Sequence, residues 1–173
     1  LLCLLLAACG GQRSSTPAPD ARPAALVPVG AVTSPNFSDA DPVDRWNGKP
    51  PSAYAVHGID VAKYQKGIDW PTVRANGVNF AFIKATEGGD RVDERFRDNF
   101  DGAARAGVLR GAYHFWYHCR TGAEQAAWYI RNVPRDANAL PPVLDIEWTP
   151  TSPTCTKRPP ADELHADIQT FLD

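Results

Sequence analysis

The sequence predicts an α/β fold on parallel strands, in the form of either a β/α barrel or a doubly wound sheet. Four strand-like apolar runs are separated by stretches with helical spacing, and a β-α-β-α order implies parallel strands joined by right-handed crossovers. No Gly-x-Gly-x-x-Gly follows the first run, which weighs against the nucleotide-binding version of the doubly wound sheet.

Each element follows from local pattern. The first strand is read at 55–61, the second at 78–85, the third at 109–116 and the fourth at 142–148, all rich in apolar or aromatic residues. A short helix is expected at 70–75. A second at 95–106 carries Phe96, Phe100, Ala103 and Ala104 at helical spacing before Gly107. A third at 123–132 has Ala126, Ala127 and Ile130 as its inward residues, and a fourth at 160–171 has Leu164, Ile168 and Leu172 as an inward stripe.

What precedes the first strand has a different character. Leu1 to Ala8 is an apolar run too short to span a bilayer, and it stops at Ala7-Ala8-Cys9-Gly10. Residues 1–9 are therefore read as a signal peptide whose Leu6-Ala7-Ala8-Cys9 resembles the bacterial lipobox, with Cys9 as the lipidation site. Residues 10–53 hold eight of the 16 prolines and no sustained apolar periodicity, which predicts a flexible, fairly extended tether. The globular domain is placed at 54–173. This organisation implies an exported, membrane-anchored lipoprotein of the cell envelope.

Charge and cysteine content narrow the partners. A net charge of −2 and a pI near 6.1, with no Lys/Arg run, give no field for gathering phosphate backbones, so no nucleic acid partner is expected. If Cys3 leaves with the leader and Cys9 carries lipid, Cys119 and Cys155 remain as an even pair in an oxidising compartment and are expected to bond. In the chain-entropy model such a closure is worth on the order of 3 to 4 kcal/mol.

Candidate chemistry collects at the predicted C-terminal ends of the strands, where parallel α/β barrels gather reactive groups. Asp60 lies near the end of the first, Thr86 and Glu87 follow the second, Tyr113, His114 and Trp116 end the third, and Asp145 and Glu147 end the fourth. Two apart on a strand, Asp145 and Glu147 would leave one face about 6 to 7 Å apart. Paired carboxylates near that separation serve glycoside hydrolysis, one protonated for the leaving oxygen and one ionised to stabilise charge at the sugar. The apolar neighbours Val143, Leu144, Ile146 and Trp148 favour a raised pKa for one of the two by desolvation. A solvated strand face would carry the same Asp-x-Glu, Asp60 also fits a turn or cap, and Glu87 also fits a loop beside Gly88-Gly89. His57, His114 and His118 leave a metal-dependent hydrolase as a further reading, although the four-residue spacing of His114 and His118 on a strand makes no helical ligand pair. Tyr113, Trp116, Tyr117 and Trp148 fit either a core or sugar-stacking faces.

Four segments together resemble the signature of the family 25 glycoside hydrolases. They are Gly58-Ile59-Asp60-Val61-Ala62-Lys63-Tyr64-Gln65, Phe82-Ile83-Lys84-Ala85-Thr86-Glu87-Gly88, Gly111-Ala112-Tyr113-His114-Phe115 and Pro142-Val143-Leu144-Asp145-Ile146-Glu147. The resemblance implies a lysozyme-like N-acetylmuramidase on an irregular TIM-like barrel of five β/α units and three further strands, of which about the first four units are present here. The sequence stops after the fourth strand and its helix, so the barrel is expected to be C-terminally incomplete. By the resemblance, Glu147 is the general acid for a β-1,4 link between N-acetylmuramic acid and N-acetylglucosamine, and Asp145 orients and charge-stabilises the reacting sugar. Asp60 completes the catalytic set. Glu87, Tyr113, His114, Trp116 and Trp148 are the expected substrate contacts. The partner implied is the peptidoglycan glycan strand, met by a monomer with no metal or organic cofactor. The rival is a non-catalytic peptidoglycan-binding lipoprotein.

Overall fold

The computed structural model describes Gly48, residues 54–148 and residues 152–173; the expected signal peptide with Cys9, and the rest of the tether, lie outside the described residues. Four strands run parallel in chain order, β1 (His57–Val61), β2 (Val78–Glu87), β4 (Leu109–Phe115) and β5 (Val143–Asp145). A two-residue β3 (Arg91–Val92), unforeseen from the sequence, pairs antiparallel with the end of β2. The helices are α1 (Trp70–Ala75), α2 (Phe96–Arg105), α3 (Gly122–Asn132) and α4 (Ala161–Leu172). Each unit adds its strand to the same edge of the sheet. A doubly wound sheet would reverse direction, so among the described residues the connectivity is that of a β/α barrel.

Alternation along the strands sorts the side chains into two layers. Ala81, Ile83 and Ala85 of β2 and Ala112 of β4 are buried together with Trp70 of α1, Phe96, Phe100 and Ala103 of α2, and Tyr129 of α3. Full burial of a large apolar side chain contributes about 1.5–3 kcal/mol, against a few tenths for helix propensity, so this layer is what holds the helices on the sheet. Helix starts are fixed locally. The Asp69 carboxylate accepts from the Thr72 N–H at 3.3 Å to cap α1, and Thr121 with Glu124 forms a capping box at the start of α3.

The opposite face carries Gly58 and Asp60, then Phe80, Phe82 and Lys84, then Gly111, Tyr113 and Phe115, then Val143 and Asp145. A Cβ on Gly58 would fall 2.1 Å from the Phe80 ring, and one on Gly111 would fall 2.7 Å from the Phe82 ring. Glycine at these two positions lets the rings lie across the neighbouring backbone. The register of β2 against β4 slips between Lys84 and Thr86. That irregularity turns Thr86 toward the helix layer and returns Glu87 to the face of Lys84, while the Ala85 carbonyl accepts from the Asp93 N–H at 2.9 Å.

Several expected boundaries and stripes are corrected. The first strand begins at His57 rather than at residue 55, and the fourth covers only Val143–Asp145 rather than 142–148. Pro141 and Pro142 offer no N–H to a ladder, and β4 turns away after Phe115, its last link to β5 being the Trp116 N–H donating to the Asp145 carbonyl at 2.8 Å. In α3 the buried residues are Gly122, Gln125 and Tyr129, while Ile130 is 68% exposed. A glutamine took an inward place because its amide is fully engaged there. In α4, Phe171 packs against the core and Leu172 faces outward. α4 approaches α3 so closely that a Cβ on Gly122 would lie 2.0 Å from the Asp167 carbonyl oxygen, and the Gly122 N–H donates to Asp167 Oδ1 at 2.8 Å.

Candidate active site

The polar groups on the face opposite the helices meet at the C-terminal ends of the strands. There a cleft of about 540 Å³ is lined by Asp60, Lys84, Glu87, Tyr113, Asp145 and Glu147, with Tyr64, Tyr117, Arg91 and Ser152 on its walls. Asp60 comes from β1, Lys84 and Glu87 from β2, Tyr113 from β4 and Asp145 from β5. Glu147 reaches the same cleft from the irregular segment beyond β5, not from the strand on which it was expected. A more apolar hollow of about 410 Å³, lined by Phe100, Tyr129 and Leu140, lies by the start of β4, where the Leu140 N–H bonds the Arg110 carbonyl at 2.8 Å. That is the end of the strands where barrels carry stability rather than chemistry.

Charge in the cleft is dense and partly balanced. The Lys84 ammonium, 12% exposed, sits 2.8 Å from Glu87 Oε2 and 4.4 Å from the centroid of the Phe115 ring. Burial, then the charge of Glu147, pushes the Asp145 carboxyl above the usual aspartate range, with Lys84 opposing and Asp60 adding to the shift. Desolvation therefore falls on Asp145, one of the two candidates named from the sequence. Burial, then the charges of Asp60, Asp145, Asp93 and Glu147, pushes the Tyr113 phenol well up, so it stays a neutral donor among carboxylates.

Three expected sugar contacts do not line the cleft. His114 is fully buried, with Nδ1 2.7 Å from Thr86 Oγ1 and Nε2 3.0 Å from Gln125 Oε1. Because Gln125 Oε1 also accepts the Tyr117 N–H at 2.8 Å, His114 Nε2 is the protonated nitrogen and Nδ1 accepts from the threonine hydroxyl. Burial lowers the His114 pKa, which keeps the ring neutral. Trp116 is 1% exposed and packs edge-on against Phe171 at 6.1 Å. Trp148 is 51% exposed but outside the cleft, stacked on His118 at 4.4 Å with the Arg158 guanidinium 4.7 Å from its ring centroid.

His114 instead anchors the loop that forms one cleft wall. The Gln125 amide it touches donates to the carbonyls of Tyr117 and Arg120 at 3.1 and 3.2 Å. From this loop the Tyr117 hydroxyl bonds Ser152 Oγ at 2.9 Å and Thr154 Oγ1 at 2.7 Å, and Cys119 forms a disulfide with Cys155. His118 Nε2 lies 2.9 Å from the Glu147 carbonyl oxygen. The backbone carrying Glu147, outside any strand, is thus held by the loop after β4. Sequence reasoning missed Lys84, Arg91 and this role of His118. Only Lys84 left a signal, as a lone cation on an otherwise apolar strand three residues before Glu87.

Comparison with known proteins agrees with this architecture. The model of "Glycosyl hydrolases family 25" matches residues 59–173. Lysozyme M1 of Streptomyces globisporus is 42% identical over 120 residues, covering 67% of this chain and 40% of that protein. An N,O-diacetylmuramidase of Arthroderma benhamiae is 31% identical over 124 residues, covering 70% of this chain and 52% of that protein. Among solved structures, a family 25 glycosyl hydrolase from Bacillus anthracis superposes with a TM-score of 0.62 at 37% identity, over 67% of this chain and 52% of that one. A bacterial lysozyme from Streptomyces coelicolor gives a TM-score of 0.61 at 39% identity, over 67% and 55%. The chain spans about half, or less, of the length of these relatives. From the match over 59–173, which takes in every carboxylate of the cleft, the chain belongs to glycosyl hydrolases family 25.

Proposed function

We propose that this chain carries the active site of an exported peptidoglycan hydrolase, an N-acetylmuramidase that cleaves the β-1,4 link between N-acetylmuramic acid and N-acetylglucosamine. The observation that carries the reading is the convergence of Asp60 of β1, Glu87 of β2, Asp145 of β5 and Glu147 just beyond it on one cleft at the strand ends of a family 25 chain. The similarity to a lysozyme and to an N,O-diacetylmuramidase supports the same substrate.

In this reading Glu147 is the general acid that protonates the leaving glycosidic oxygen. Asp145 supplies negative charge next to the anomeric carbon, where an oxocarbenium-like transition state gathers positive charge, or holds the N-acetyl group for internal attack. Its partial burial lets that charge act through a lower effective dielectric than bulk water, at the cost of the raised pKa. Asp60 faces them from β1, Glu87 and Tyr113 offer an acceptor and a donor to sugar hydroxyls, and Lys84 limits the mutual repulsion of the carboxylates. The chemistry needs no metal or organic cofactor. The domain at 54–173 acts as a monomer, presented on the tether at 10–53 from a lipid anchor at Cys9.

Glutamine keeps the shape of Glu147 and loses the acid. Glu147→Gln is expected to lower the release of reducing ends from purified peptidoglycan by about 10²-fold or more while glycan binding persists. Near wild-type turnover in this variant would defeat the assignment.

A further inference from the structure

The cleft continues past Tyr117 into a second groove of about 370 Å³, lined by Glu87, Gly88, Asp90, Arg91, Tyr117, Cys119, Arg120 and Thr154. Glu87, Arg91 and Tyr117 line both spaces, so they are two parts of one trough. The charge changes along it. The cleft sets four carboxylates, Asp60, Glu87, Asp145 and Glu147, against Lys84 and Arg91. In the groove, Arg91 and Arg120 face Asp90 at 3.1 Å from Arg120 and Glu87 at a longer 3.4 Å from Arg91, while Glu87 is already held by Lys84 at 2.8 Å. Across these linked pairs Lys84, Arg91 and Arg120 meet Glu87 and Asp90, three cations against two carboxylates.

Both arginines stand on fixed backbone. Arg91 is in β3, paired with Glu87, and its carbonyl accepts from the Trp128 indole N–H at 2.8 Å. Arg120 follows the disulfide-bonded Cys119, and its carbonyl accepts from the buried Gln125 amide. Gly88, at φ +56, lines the groove beside Tyr117 and puts no side chain into it. A guanidinium pair lining one groove suits a planar anion, since each fork matches a carboxylate.

We propose that this groove is a subsite for a carboxylate carried by the glycan as a substituent, so that the trough reads the decoration of the strand as well as the sugar chain. The inference rests on the hydrolase reading above. A strand containing muramic acid offers such carboxylates from two sources: the lactyl carboxyl of a residue that bears no stem, and, where that carboxyl is amide-bonded to a stem, the free carboxylates of the peptide. Neutral sugars lie in the carboxylate-rich cleft, and the anionic branch lies along Arg91 and Arg120.

Binding tests this apart from turnover. In a Glu147→Gln background, calorimetry compares four tetrasaccharides: one with free stem carboxylates, one with amidated stems, one with the lactyl carboxylate alone, and chitotetraose. The carboxylate-bearing ligands are expected to bind about 5- to 10-fold more tightly than chitotetraose, a margin set by partly exposed ion pairs. Arg120→Gln is expected to remove that margin without changing the affinity for chitotetraose, and Arg120→Lys to restore part of it. Loss of the margin on amidation assigns the stem, and its persistence with the lactyl form alone assigns the lactyl group. Equal affinity of the parent protein for all four ligands, or equal weakening of all four by Arg120→Gln, would overturn the proposal. A binding preference without release of reducing ends by the unmutated protein would defeat the hydrolase reading and leave the subsite standing.

Discussion

Replacing His118 by alanine should harm catalysis more than folding. The imidazole Nε2 is 2.9 Å from the Glu147 carbonyl oxygen, and the ring stacks on Trp148 at 4.4 Å. Losing one such hydrogen bond costs about 0.5–1.5 kcal/mol, and losing the ring contact costs about as much again, so stability should fall by about 1–3 kcal/mol. The effect on rate has a different origin. Glu147 lies beyond β5, and the last ladder bond before it is the Trp116 N–H to the Asp145 carbonyl at 2.8 Å. Without His118 the segment is released from its second tie, and a shift on the order of 1 Å at a reacting group costs about 10²-fold. The variants to compare are His118→Ala and His118→Gln, the latter keeping an N–H donor at similar reach. Denaturant midpoints report folding, and kcat and KM on solubilised glycan report catalysis. His118→Ala should lose kcat with little change in KM, and His118→Gln should recover part of it. An alanine variant that keeps wild-type kcat while losing stability would refute the positioning role.

Two further predictions concern Asp145 and Cys9. Because burial raises the Asp145 pKa in the folded protein, its carboxyl binds a proton more tightly folded than unfolded; its contribution to stability is therefore present below the unfolded pKa and lost as pH rises through the folded one. Asp145→Asn should thus be severely impaired in turnover, yet at neutral pH gain stability relative to wild type that it does not gain in acid; a stability difference independent of pH, followed by thermal melts across that range, would contradict this. Cys9→Ser should abolish incorporation of labelled palmitate and membrane fractionation on expression in a bacterial host, and retention of both would dismiss the anchor.

The parallel strands and the cleft carboxylates were legible because both rest on short-range pattern, whereas the strand order that separates a barrel from a doubly wound sheet does not. Strand-forming runs ending in Asp60, Glu87 and Asp145 place those residues at one end of a parallel sheet whatever the exact register. What stayed hidden depends on contacts distant in sequence. His114 reads as a polar group at a strand end, but by alternation it shares the helix-layer face of β4 with Ala112, and the register slip between Lys84 and Thr86 brings Thr86 opposite it in that layer, where Gln125 completes the pairing. The same glutamine defeats the apolar stripe expected for α3. Aromatics are ambiguous from sequence alone: Trp116 and Trp148 follow the same rule of enrichment near a strand end, yet one is core and the other stacks on a histidine outside the cleft. Glu147 lines the expected cleft but from a different backbone position, since β4 turns away after Phe115 and β5 ends at Asp145, two residues before it.

The identity of the new reducing end tests the central claim most directly. Purified peptidoglycan is digested with the protein, reduced with borohydride and hydrolysed, and the sugar alcohols are separated. Cleavage by the proposed route exposes the anomeric carbon of N-acetylmuramic acid, so muramitol should accumulate with time and should be nearly absent with Glu147→Gln. Accumulation of glucosaminitol, or no sugar alcohol from a folded protein that binds the glycan, would contradict the account.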